Sequence, residues 1–256
     1  MLLRKDAEGV IAVGQPAHAW VSGQMARHWR ETDFVGVKEE VCLAAEQHDI
    51  GFLAWEQSPT LNPGTGLPHT FMEMPRGIHL EIWTRGIQKM LQFGRYPALL
   101  VSRHFSGLAQ RNGLSGTTED ERLLMEFLER QEEFQTSLET SLVNDFYYGE
   151  FSTEEILIHH QQLVSLWDWI SLLLCHGLEK PRVVAWSGWE KGKVELKLTP
   201  LEEGEVKVEP WPFAVRPIEL VCEGRHLLRS YTDENEMREG LREAAPVVLG
   251  IRLKPQ

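Results

Sequence analysis

The hydrophobic period changes once along this chain, at Pro181. Before it, from Pro16 to about Gly177, apolar residues recur every three or four positions, the repeat of an amphipathic helix. After it the repeat is two. KVELKLTP sends Val194, Leu196 and Leu198 to one side, with Glu195 and Lys197 on the other, and EVKVEP repeats this beyond a turn at Gly204. VVLGIRLK likewise puts Val247, Leu249, Ile251 and Leu253 on one face. The chain therefore reads as α+β, with a mainly α-helical bundle over 16–180 and a C-terminal antiparallel β region over 181–256 that includes a short helix near 234–244. Residues 1–15 read as a hairpin, LLRK and VIAV about a turn at 6–9. The β region is either a small domain of its own or, the favoured reading, shares a sheet with that hairpin.

Inside the helical part, helices are expected over 78–93 and 97–111. Thr118-x-x-Glu121 and Ser152-x-x-Glu155 match the capping box, in which hydroxyl and carboxylate satisfy unbonded N–H groups reciprocally. The second of these helices runs to Gly177, a residue suited to a left-handed C-terminal cap. Between 50 and 77 the chain is rich in Pro and Gly, the composition of a lid or binding loop.

A 42% hydrophobic and 25% charged composition over 256 residues excludes disorder. The net charge of −12 argues against a nucleic-acid partner, while leaving room for a local basic pocket. No apolar run reaches the roughly 18 residues of a membrane span, and Asp168 interrupts the greasiest stretch, WDWISLLLC. MLLRKDAEG lacks a signal-peptide core. Cys42, Cys175 and Cys222 are too dispersed for a zinc ribbon or a disulfide framework, so a cytoplasmic protein is expected.

Chemistry is suggested by QHDIG, residues 47–51. Val37, Val41, Ala44, Ala45 and His48 fall on one helical face, which puts His48 on the inward stripe at a helix end, with Asp49 beside it. Together they offer a neutral nitrogen and a charged oxygen to a divalent metal. Asp168 lies in an apolar stripe with Leu157, Val164, Leu172 and Cys175, where a carboxylate without a cation or donor is costly. The alternative for Asp168 is an arginine salt bridge or a helix cap. His18 stands on the first helix.

The stretches PAHAWVSGQMARHW, VCLAAEQHDIG and QLVSLWDWISLLL, in this order, resemble the HD-domain superfamily of metal-dependent phosphohydrolase-like helical proteins. The resemblance covers 16–177 and implies that His18, His48, Asp49 and Asp168 bind a metal. His79 and His104 match the two histidines that binuclear branches insert, which implies a second ion with Asp49 bridging. The whole chain also resembles an uncharacterised bacterial family known only as a domain of unknown function. One departure is clear: Phe52 stands where many such phosphohydrolases carry a Lys after the glycine. Arg103, Arg76 or Lys38 are the candidates to replace it, and Phe52 with Trp55 suggests a more apolar pocket. Glu56 is a candidate general acid/base from the loop. His160 is a pocket candidate, two helical turns from Asp168.

The resemblance implies a hydrolase acting on a small, preferably phosphorylated molecule through metal-bound hydroxide, with Asp49, His104, Arg103 and Glu56 as catalytic candidates. One or two ions are expected, with iron, manganese and zinc equally compatible. The alternatives are a di-iron oxygenase of the same superfamily, and a non-catalytic, metal-stabilised binding or regulatory protein. In the latter, Trp186, Trp189 and Trp211 would form the interaction surface, although such residues more often belong to a sheet's core.

Overall fold

Strand β1 (Leu2–Lys5) folds back on β2 (Val10–Val13), with Leu2 opposite Val13 and Lys5 opposite Val10. In the computed structural model, which describes residues 1–111, 117–188, 192–202 and 204–255, this hairpin is one edge of a larger sheet. β2 pairs with β8 (Ile218–Leu227), and β8 pairs with β9 (Pro246–Lys254). β9 runs parallel to β7 (Glu205–Glu209), which leads through β6 (Gly192–Pro200) to the far edge, β5 (Arg182–Gly188). The result is one curled, mixed seven-stranded sheet in the order β1-β2-β8-β9-β7-β6-β5.

This corrects the architecture predicted from periodicity. The chain is not mainly an α-helical bundle with a small antiparallel β extension. The sheet is a principal layer and it is mixed; that it takes in the N-terminal hairpin agrees with the favoured reading. The physical reason is a shared core. Trp29, the C-cap of α1 (Gln15–His28), makes edge-to-face contacts with Trp167 of α7 (Glu154–His176), Trp186 of β5 and Phe213, at 5.6, 5.3 and 5.2 Å between ring centroids. Inward residues of the strands, including Leu196, Leu198, Leu220 and Ile251, belong to the same continuous cluster as the helical stripes. Neither layer buries its apolar face without the other. Trp186 is thus core, while Trp189 lies outside the described residues.

The helices that carry the site are α1, α2 (Lys38–Gln47), α4 (Arg76–Met90), α5 (Arg95–Arg111) and α7. Between α2 and α4 the chain forms a tight turn, the four-residue α3 (Leu53–Glu56) and a two-stranded hairpin of β3 (Leu61–Asn62) and β4 (Leu67–Pro68). Contacts with α8 (Glu234–Glu243) and its flank anchor that hairpin: Leu61 N–H donates to Glu234, Arg238 to the Pro59 carbonyl, and Tyr231 N–H to the Gly66 carbonyl.

Both helix caps are displaced by one residue, and only the first is a capping box. Helix α6 (Thr118–Val143) is capped by Thr117 with Asp120, not by Thr118 with Glu121. Thr153, not Ser152, accepts the Ile156 N–H at the start of α7. Gly177 ends α7 with a positive φ of 95°. No described helix is long and apolar enough to cross a membrane.

Candidate metal centre

The QHDIG segment is placed by backbone contact. A Cβ on Gly51 would stand 2.3 Å from the Ile82 carbonyl oxygen and 3.0 Å from the Gly86 backbone, so the turn after α2 lies directly on α4. His48 and Asp49 are thereby held at the bottom of a cavity of about 970 Å³. Helix α1 supplies His18, α5 supplies His104 and α7 supplies Asp168. All five side chains are buried.

Two groups of potential ligand atoms form, each with its atoms within 4.8 Å of one another: His18, His48 and Asp49, and His48, His104 and Asp168. His48 Nε2 lies 3.6 Å from Asp49 Oδ2 and 3.3 Å from Asp168 Oδ1, and His104 Nε2 lies 3.4 Å from Asp168 Oδ2. Despite this proximity, neither His48 Nε2 nor His104 Nε2 has a hydrogen-bond partner. Buried polar atoms without partners are rare, because each bears the cost of lost hydration.

Behind the ligand atoms, each imidazole is steered through its other nitrogen. His48 Nδ1–H donates to the Ala45 carbonyl at 2.8 Å, which leaves the Nε2 lone pair facing the centre in the neutral ring. His104 Nδ1 meets Ser165 Oγ at 2.8 Å. Around His18 the logic is tighter. Ser171 spends its one hydroxyl proton on the Asp168 carbonyl, so His18 Nδ1–H must donate to Ser171 Oγ, and Ser22 donates to that oxygen as well. The His18 Nε2 lone pair then faces Asp49 Oδ2 at 2.8 Å. Two electron-rich atoms this close require a proton or a cation between them.

Electrostatics point the same way. Burial opposes charge on His48, yet the Asp49 and Asp168 carboxylates push its pKa up to about 9. Burial would raise the Asp168 carboxyl, but the facing His104 and His48 rings hold it well below the usual carboxylate range. Burial pushes His104 down. Two carboxylates and three imidazoles therefore surround a space that attracts positive charge, and they fit a divalent cation by donor type. His48 belongs to both ligand groups, but its Nδ1 is committed to Ala45, leaving a single nitrogen for coordination. One nitrogen serves one ion.

The other sequence candidates fall elsewhere. His79 lines the cavity but joins neither group; its ring lies 4.4 Å from Trp83 and 5.7 Å from Phe52, and burial pushes its pKa down to about 4. Phe52 belongs to that apolar wall. Arg103 turns away from the cavity and binds Glu139 and Glu154. Lys38 binds Glu31. Glu56 accepts from the Met1 ammonium at 3.0 Å and the Gln15 N–H at 2.9 Å, which ties α3 to the start of α1. Arg76 does line the cavity. His160 is bound within the helices, to Tyr96 and the Val35 N–H.

Sequence reasoning missed Ser22, Ser165 and Ser171, the residues that orient the imidazoles. The available signal was spacing: Ser165 and Ser171 stand three positions either side of Asp168, one helical turn each way. It also missed Gln15, whose buried side-chain oxygen has no partner and which lines the cavity.

The chain belongs to a family described as protein of unknown function (DUF3891), whose model matches residues 1–229. No curated protein and no solved structure matches it.

Proposed function

We infer that this member of the family is a metal-dependent hydrolase of HD type, acting on a phosphoester of a small molecule. The likeness to the HD superfamily lies in the ligand set and its order along the chain, His18, His48–Asp49 and Asp168, rather than in the architecture as a whole. The observation that supports it best is the convergence of buried, partnerless imidazole nitrogens on two carboxylates at the base of a cavity.

In this reading His18, His48, Asp49 and Asp168 hold one divalent ion. When bound, such an ion supplies Lewis acidity, acidifying water and drawing charge from a phosphoryl oxygen. Asp49 and Asp168 neutralise its charge, and the three hydrogen bonds behind the imidazoles fix their direction before substrate arrives. His104, with Nε2 open to the same space, steadies a phosphoryl or leaving-group oxygen. Phe52, Trp83 and Leu108 exclude water from the organic part of the substrate. His79, which the two-ion arrangement needs and which joins neither ligand group, favours one ion over the pair that di-iron oxygen chemistry requires.

The test is a panel of phosphomonoesters and phosphodiesters, assayed with protein reconstituted in turn with manganese, iron and zinc. Turnover that depends on the ion and falls at least about 100-fold in Asp49→Asn supports the reading, since such a loss is the usual size for removing a catalytic group. Protein that holds its ion yet turns over nothing in the panel contradicts it.

A further inference from the structure

A second concavity, of about 930 Å³, adjoins the cavity of the candidate metal centre, and Phe71, Met72, Trp169 and Leu172 line both. Its cations come from opposite edges of the curled sheet. Arg4 and Lys5 belong to edge strand β1, while Arg182 begins edge strand β5 and Lys180 lies two residues before it. Helix α7 packs against both edge strands, and its C-terminal end brings the two pairs to one groove. Among the described residues none of the four makes an ion pair or a side-chain hydrogen bond. Two acids, Glu179 and Glu205, also line the groove, but Glu205 is bound by Lys254. On a chain of net charge −12 this is a local excess of positive charge. Between it and the metal centre lies an exposed apolar ridge, with Met72 72% and Trp169 51% exposed.

We propose that this groove is a second, anion-binding subsite, built for the phosphate-bearing far end of an elongated substrate whose apolar body crosses the Met72–Trp169 ridge into the metal cavity. The near end of that substrate rests on the hydrolase reading; the groove does not. Charge complementarity selects the far end, since the excess of cationic residues lining this groove, with the Arg4 guanidinium beside Gly177, is relieved of mutual repulsion by a phosphate group. The ridge selects the body: water is displaced from exposed Met and Trp side chains by alkyl or aryl groups. Scale follows from α7. Asp168 and Gly177 are nine residues apart, roughly 13 Å by helix rise, and a Cβ on Gly177 would lie 3.5 Å from Arg4 Nε.

The experiment compares decyl phosphate with 1,10-decanediol bisphosphate by calorimetry, using the full chain with and without manganese. Linking two favourable ends predicts that the bisphosphate binds at least about tenfold more tightly than decyl phosphate, with an advantage that shrinks as salt is added. The double variant R4E/R182E abolishes that advantage and leaves decyl phosphate affinity unchanged; R4Q/R182Q, milder for folding, reduces it. Equal affinity for the two ligands in the wild-type chain, no binding of the bisphosphate, or an advantage that survives R4E/R182E overturns the subsite. Failure of the metal reading shows differently, as decyl phosphate binding indifferent to manganese.

Discussion

His48 Nε2 lies 3.3 Å from Asp168 Oδ1, and no hydrogen bond joins them. Both groups are buried, one at the end of α2 and the other within α7, and the same relation recurs between His104 Nε2 and the other Asp168 oxygen at 3.4 Å. A core that brings a carboxylate to two imidazole nitrogens without hydrogen bonds is one that could hold a cation.

A ligand that binds the folded chain alone stabilises it in proportion to the logarithm of its concentration over Kd, about 2.7 kcal/mol at 100-fold excess. Adding manganese or zinc is therefore expected to raise the melting temperature and chelator to lower it. In Asp168→Asn the two melting curves should coincide. Identical curves in the wild-type chain would count against ion binding.

His104 and His79 separate binding from chemistry. His104→Ala should retain the ion, since His18, His48, Asp49 and Asp168 remain, but lose turnover of a phosphoester. His79→Ala should retain the ion with its stoichiometry unchanged, because the ring faces Trp83 and Phe52 and joins neither ligand group. Metal content of the two purified variants, with phosphoester turnover of His104→Ala, checks both statements; loss of the ion in His79→Ala would return that residue to the ligand set.

Gly51→Ala puts a methyl against the Ile82 carbonyl, 2.3 Å away before any relaxation. The turn must move off α4 and carry Asp49 with it. Overpacking of this kind costs about 1–3 kcal/mol, and metal affinity should fall together with stability. Denaturant unfolding and a metal titration on one preparation test the coupling; unchanged affinity in a destabilised variant would show that the turn does not position Asp49.

His160 supplies a pH dependence away from the metal centre. Its Nε2 accepts the Val35 N–H, and its Nδ1–H donates to Tyr96, whose hydroxyl donates to the Phe151 carbonyl. This arrangement needs the neutral ring, and burial, with His159 adding, pushes the pKa down to about 3. Because the folded value is lower than the unfolded one, near 6.5, the unfolded chain takes up the proton first. The contribution is complete above about pH 6.5 and is lost as pH falls towards 3, at up to about 1.4 kcal/mol per pH unit. His160→Gln should flatten the acid limb of the stability curve in that interval. An unaltered slope would show that His160 does not carry it.

The candidate cluster was legible because its parts are local signals: a His–Asp pair on an inward stripe, and a carboxylate in an apolar helix face. Convergence of His104 with Asp168 was less accessible, because the α5 and α7 faces meet only through tertiary packing. Arg103 illustrates the opposite case. Next to His104 in sequence, it points to another side of α5 and is bound by Glu139 and Glu154, since adjacent helical residues diverge by about 100°. The architecture was harder still. Alternation identified the strands, and the favoured sharing of a sheet with the N-terminal hairpin is borne out by the β2–β8 pairing, but nothing in β7 states that its neighbour is the parallel β9. Such pairings are set by the shared core around Trp29, which is non-local. The α6 capping box slipped by one residue because Thr117 and Asp120 offer the same pattern as Thr118 and Glu121, and at α7 the neighbouring hydroxyl of Thr153 takes the cap without a box.

The most direct measurement is the metal-to-chain ratio of protein purified without chelator or a histidine tag, by elemental analysis, set beside His48→Ala. The account predicts close to one divalent ion per wild-type chain and close to none in the variant. A wild-type chain that holds no ion even after reconstitution, or a His48→Ala variant that holds as much as the wild type, would contradict it.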